Sequence, residues 1–159
     1  MRDGPEERLR NLGYELPAVP RPAGSYVPAA LTRGTLLFTA GQLPFKDGRL
    51  PYTGKVEADV SVEDAKEAAR LCALNALAAV KAATETLENV RRIVKVTGYV
   101  ASAVGFNNQP EVMNGASDLI GELFGDKGLH ARTAVGVAEL PLDAPVEVEV
   151  IVELAAPQE

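Results

Sequence analysis

Arg132 lies in a run made otherwise of Ala, Val, Gly and Thr, and small neighbours at Ala134 and Gly136 leave space beside its guanidinium. A guanidinium is a planar fork that matches a carboxylate through two parallel hydrogen bonds. Spacing alone offers a simpler account as well, an ion pair across a hairpin with Glu147, Glu149 or Glu153. His130 stands two residues before Arg132 and shares its face in an extended chain. It can serve as an acid, a base or a ligand contact, although a lone histidine at the start of a strand is more often a surface residue. Glu147 and Glu149 share a strand face, where paired carboxylates can do acid/base work. Alternating glutamates on a solvated face are the commoner case. Cys72 sits among alanines and reads as a small inert hydrophobe, because a nucleophilic thiol needs an accessible, electropositive position. Asn114 and Ser117 fall in a helix and read as solvent-facing. Gly24 and Gly41 belong to no glycine-rich phosphate-binding pattern.

Composition narrows the chemistry further. The chain has 159 residues, 47% hydrophobic and 24% charged, which suits a single globular domain over 1–159. With 22 acidic and 16 basic side chains the formal net charge is -6. Such a balance lacks the electrostatic footprint of a nucleic-acid binder. Aromatic residues make up 5% and Trp is absent, so no base-stacking platform is expected. One cysteine and one histidine exclude an intramolecular disulfide and leave too few ligands for a Cys/His zinc site. Neither a metal nor a cofactor is expected. No apolar run approaches the roughly 18 residues of a membrane span, and no apolar stretch follows the N-terminal charges. A cytoplasmic location without membrane contact is the expectation.

The elements that must position these residues follow from periodicity. Pro5 to Leu12 reads as a short helix stopped by Gly13. Pro17, Pro20, Pro22 and Pro28 mark an extended arm that feeds a sheet, and Thr35 to Thr39 reads as a strand. Ser61 is a good N-cap, with Asp64 three residues on. After it, apolar residues from Ala65 through Ala76 and Val80 to Ala83 and Leu87 recur every three or four positions, which predicts a long helix with one buried face. Arg91 to Ser102 reads as a strand. Pro110 to Phe124 reads as a second helix, closed by Gly125. Arg132 to Glu139 and Val146 to Leu154 read as two strands of a hairpin. Alternation places Val135 and Val137, Val94, Val96 and Val100, and the even-numbered valines 146–152 beneath the helices. Arg132, Ala134 and Gly136 then fall on the opposite face, together with Tyr99, Glu147 and Glu149. That face must meet solvent or another subunit. The reading is an α+β fold with a mixed sheet and two main helices on one face.

Four stretches carry a resemblance: Ser25-Tyr26-Val27, Leu37-Phe38-Thr39-Ala40-Gly41-Gln42-Leu43-Pro44, His130-Ala131-Arg132-Thr133-Ala134-Val135, and Glu139-Leu140-Pro141 running on to Val146-Glu147-Val148-Glu149. From about Ser25 to Glu153 the chain resembles the YjgF/Rid family, also known by the older name L-PSP. The preceding residues 1–23 read as an N-terminal extension. The resemblance implies a chorismate-mutase-like fold and a homotrimer whose sheets form a central barrel, with a ligand cleft at each subunit boundary. It implies hydrolysis of 2-imino or 2-enamino acids to 2-oxo acids and ammonia. By resemblance, Arg132 holds the substrate carboxylate, Glu147 is associated with the attacking water, and Tyr26 and Asn114 line the cleft, with His130 and Ala134 beside the arginine. Two positions depart from the pattern. Ala134 stands where active deaminases usually carry cysteine, and Ala40 where serine often precedes the Gly-Gln turn. The resulting cleft is larger and more apolar around Arg132. A non-catalytic module that binds a small carboxylate is the alternative function. An endoribonuclease, suggested by the older family name, fits poorly with the charge and with the lack of a histidine pair.

Overall fold

The computed structural model describes residues 3–155. Helix α1 spans Pro5–Asn11, followed by strands β1 (Ala29–Leu31) and β2 (Leu36–Thr39) and helix α2 (Val62–Thr84). Strand β3 (Val90–Ala101), helix α3 (Gln109–Phe124) and strands β4 (Ala131–Val137) and β5 (Val146–Leu154) complete the order. Residues 12–28 form the extended arm, without helix or strand.

Local sequence sets the helix ends. The Ser61 hydroxyl accepts the Asp64 N–H at 3.1 Å and satisfies one of the otherwise unpaired donors of the first turn. Gly125 closes α3 with a φ of 56°. Helix α2 is buried around its whole girth from Leu71 to Val80, more than the single stripe expected. Alanine-rich sequence makes this possible by letting its neighbours come close. On α3, a Cβ at Gly115 would stand 1.9 Å from the carbonyl oxygen of Lys66, so the two helices touch through backbone. Ala83 is exposed, and Leu87, though buried, lies in a 3-10 turn (Leu87–Asn89) beyond the helix end at Thr84.

The five strands run in the order β1-β2-β5-β3-β4. Every adjacent pair is antiparallel except β3 and β4, which are parallel. The expected hairpin between β4 and β5 does not form. Helix α3 acts as the crossover that a parallel β3–β4 pair requires. The all-valine face of β5 then takes a central position, paired on both edges, where Val146, Val148, Val150 and Val152 are all buried.

Register also reverses the expected faces of β4. Val96, Gly98 and Val100 of β3 stand opposite Arg132, Ala134 and Gly136, and directly opposed residues share a face. Arg132, Ala134 and Gly136 therefore look toward the helices, while Val135, 40% exposed, lies on the open face beside Tyr99. In β3 a register shift between Ile93 and Lys95 puts Ile93 in the core in place of Val94. Glu147, Glu149, Lys95 and Thr97 lie on the open face, as alternation predicts.

Candidate functional site

The site residues expected from sequence fall into two clusters on opposite faces of the sheet. The first is built where edge strand β4 runs beneath α3. The Arg132 Nη1 donates to Asn114 Oδ1 at 2.9 Å and to Ser117 Oγ at 3.1 Å. Asn114 and Ser117 are thus half-buried partners of the arginine, against the expectation that they face solvent. They lie three apart on α3, on the side that carries buried Met113 and Ala116, and that spacing was the available sequence signal. The Ser117 hydroxyl lies 3.0 Å from Nε2 of His130, whose Nδ1 lies 2.6 Å from the Gly128 carbonyl oxygen. A carbonyl only accepts, so Nδ1 carries the hydrogen, and in the neutral ring Nε2 accepts from Ser117. His130 therefore anchors a chain of hydrogen bonds that ends on the guanidinium. Asn114 Nδ2 in turn donates to Glu111 Oε2 at 3.1 Å, and Glu111 pairs with Lys66 at 2.7 Å.

None of the ion pairs among the described residues includes Arg132. The cross-hairpin pairing with Glu147, Glu149 or Glu153 does not occur, because β3 separates β4 from β5. The guanidinium is held by neutral oxygens alone and keeps its charge uncompensated. Ala134, two residues on, packs partly buried against the core on the same face.

The second cluster surrounds Glu147. This half-buried carboxyl is pushed above the usual glutamate range by burial and, to a lesser extent, by the neighbouring Glu149. A Cβ built on Gly41 would stand 2.0 Å from its Oε1, so only glycine admits the carboxylate at that point of the chain. Gly41, Glu147 and Tyr26 line a cavity of about 1320 Å³ between the arm and the body of the domain. Asn75, fully buried, also lines it. Its Nδ2 donates to the carbonyls of Leu43 and Phe45 at 3.2 and 2.9 Å, while its Oδ1 has no partner among the described residues. Arg132 does not line this cavity. One chain brings Arg132 to Asn114 and His130, and Glu147 to Tyr26, but does not bring the two clusters together.

Cys72 is buried, its thiol directed at the Val146 carbonyl oxygen at 3.4 Å, and burial, with Glu147 nearby, pushes it well above the usual thiol range. It is the inert hydrophobe expected. Among the described residues no three His, Cys, Asp or Glu side chains converge as metal ligands, and no helix is long and apolar enough to cross a membrane.

A mixed five-stranded sheet backed by two long helices is the architecture of a chorismate-mutase-like protein. The family model described as "YjgF/chorismate_mutase-like, putative endoribonuclease" matches residues 6–154, and the chain belongs to that family. Protein TCP17 of Trypanosoma cruzi is 45% identical over 147 residues, covering 92% of this chain and 91% of its own. A RutC family protein of Aquifex aeolicus is 35% identical over 136 residues, covering 85% and 93%. Among solved structures, Atu1372 from Agrobacterium tumefaciens matches with a TM-score of 0.88 at 47% identity, over 95% of this chain and 92% of that one. E. coli TdcF with bound serine matches with a TM-score of 0.61 at 26% identity, over 86% and 94%.

Proposed function

We propose that the protein hydrolyses 2-imino or 2-enamino acids to 2-oxo acids and ammonia, in clefts between the subunits of a homotrimer. The observation that carries this reading is Arg132, fixed in orientation by Asn114 and Ser117 yet left without an anionic partner. A charge held in place and not neutralised is a receptor for a carboxylate, and the two-carbon head of a 2-imino acid supplies one. Because Arg132 and Glu147 lie on opposite faces of one chain's sheet, the Glu147 cluster of one copy meets the Arg132 cluster of its neighbour. Glu147, with its affinity for protons raised by burial, takes a proton from water as the water oxygen attacks the imine carbon. That proton passes to the imine nitrogen to give a carbinolamine. Glu147 then takes the hydroxyl proton and returns it to the nitrogen as the C–N bond breaks, which leaves the 2-oxo acid and ammonia. The bound serine of TdcF fits an amino-acid-sized occupant of such a cleft.

The test mixes the purified protein with an amino acid oxidase or a threonine dehydratase and follows decay of the imine. Protein-dependent acceleration that is lost in Arg132→Ala and Glu147→Gln is expected. Decay equal to the protein-free control across several amino acids would overturn the reading. Carboxylate binding without turnover would replace it with a binding module.

A further inference from the structure

The cavity at Glu147 is much larger than a three-carbon acid needs. Its volume of about 1320 Å³ exceeds the roughly 300–1,000 Å³ usual for small-molecule pockets. Its walls are mainly apolar, with Val19, Val27 and Leu142 on different segments, and the charged Arg21 and Asp47 and the buried Asn75 also line it.

The outer wall is the arm, and it is built to stay in place. Upstream, the Tyr14 ring lies under the Arg70 guanidinium, 5.6 Å from its centroid, and Arg70 donates to the Tyr14 hydroxyl. Downstream, the Pro28 carbonyl accepts the Ala40 N–H at 2.8 Å and ties the arm to the strand that leads into Gly41. Between these anchors Pro17, Pro20 and Pro22 line the cavity, each with φ fixed by its ring. The opposite rim carries backbone strain. Leu142 adopts φ 56° and ψ 24°, a left-handed conformation uncommon for a branched aliphatic residue, and Asp143 follows at φ 59°. The Gly54 N–H holds the turn through the Asp143 carbonyl at 2.7 Å. The result is a leucine side chain 66% exposed at the cavity rim. A surrounding structure that maintains such a conformation points to a use for it.

We infer that the arm-walled cavity is a side-chain subsite for substrates with a large apolar group, such as the 2-imino acids derived from leucine, methionine or phenylalanine. The inference rests on the deaminase reading for the identity of the polar head. The apolar tail is recognised by Val19, Val27 and Leu142 whatever chemistry follows.

Affinity of the full-length protein for pyruvate, 2-oxobutanoate, 4-methyl-2-oxopentanoate and phenylpyruvate is measured by calorimetry, alongside hydrolysis of the matching imines. Each buried methylene multiplies affinity by about fourfold, so 4-methyl-2-oxopentanoate and phenylpyruvate are expected to bind about tenfold or more tighter than pyruvate. In Leu142→Asn and Val19→Asp that ratio falls toward one. Asparagine tolerates the left-handed conformation, so the first variant keeps its fold. Size-dependent affinity without imine hydrolysis would remove the deaminase reading and leave the subsite standing. Hydrolysis with equal affinity for all four acids would overturn the subsite and leave the reading; a cavity filled by a neighbouring copy gives that result. Absence of both would overturn both.

Discussion

Arg132 and Glu147 show how the same side chain acquires a different meaning from its partners. With a carboxylate beside it, Arg132 would be a structural cation; with Asn114 and Ser117 as its partners, it is a preoriented and unsatisfied one. Lysine keeps the charge but loses the fork. Arg132→Lys is therefore expected to weaken 2-oxo acid binding nearly as much as Arg132→Ala, on the order of 2–5 kcal/mol, while both variants melt close to wild type. Equal affinities in all three proteins would remove Arg132 from the site. Glu147 carries a different prediction. Its folded pKa is raised, so the native state favours the proton more than the unfolded chain does. Stability is then full below the usual glutamate pKa and declines as pH rises through the raised value. Glu147→Gln removes that decline. Thermal melts across pH 4 to 9 are expected to show the variant gaining on wild type as pH rises, with the two converging in acid. A constant offset would show that ionisation of Glu147 is not what the folded state resists.

Among the elements, α1 is fastened to the rest of the fold by buried Leu9 and Pro5, by Arg8, whose Nη1 donates to the Leu123 carbonyl at 3.3 Å, and by Glu6. Glu6 accepts from Lys81 Nζ at 2.9 Å, from the Thr86 hydroxyl at 2.8 Å and from the Leu87 N–H at 2.9 Å. Burial pushes its carboxyl up, but these bonds outweigh it and hold the pKa down to about 2. A depressed folded pKa gives stability that is present above the unfolded value and lost as pH falls toward 2. Glu6→Gln is expected to cost about 1–2 kcal/mol at pH 7, a fall of about 2–8 °C in Tm, with the difference closing in acid. An unchanged Tm at pH 7 would mean that α1 is held by buried Leu9 and Pro5 and by Arg8 without help from Glu6. The consequence reaches the cavity, since α1 and Tyr14 anchor the start of the arm that walls it.

At the scale of the whole molecule, the open sheet face is mixed. Phe38 and Val135 are 41% and 40% exposed there, among Tyr99, Thr97 and the glutamates. The homotrimer we propose covers this face and closes on itself, leaving no edge for further growth. Ala134 and Gly136 take no part in that contact, because they look toward the helices. Val135 does, and Val135→Asp would bury a charge in the interface. Sedimentation is expected to give a trimer for wild type and monomers for Val135→Asp, with the helical circular dichroism intact and 2-oxo acid binding lost. A wild-type monomer at micromolar concentration would remove the shared cleft, and a trimeric Val135→Asp would move the interface elsewhere.

Helix α2 with its Ser61 cap, α3 between Pro110 and Gly125, the valine face of β5 and the stretches around Gly41 and Arg132 were legible in the sequence. Each rests on local rules: capping, a period of three to four or of two, and short runs of characteristic residues. The family, and through it the fold, followed from those runs. Strand order and register were not legible, because they depend on pairings between residues far apart in the chain. β4 and β5 are neighbours in sequence and look like a hairpin, yet the crossover through α3 puts β3 between them. That single topological fact turned Arg132 from a cross-strand ion pair toward α3, brought Ser117 and His130 to it, and placed Glu147 on the other side of the sheet. Alternation along a strand says which residues share a face, but only the neighbouring strand and helix say which face it is.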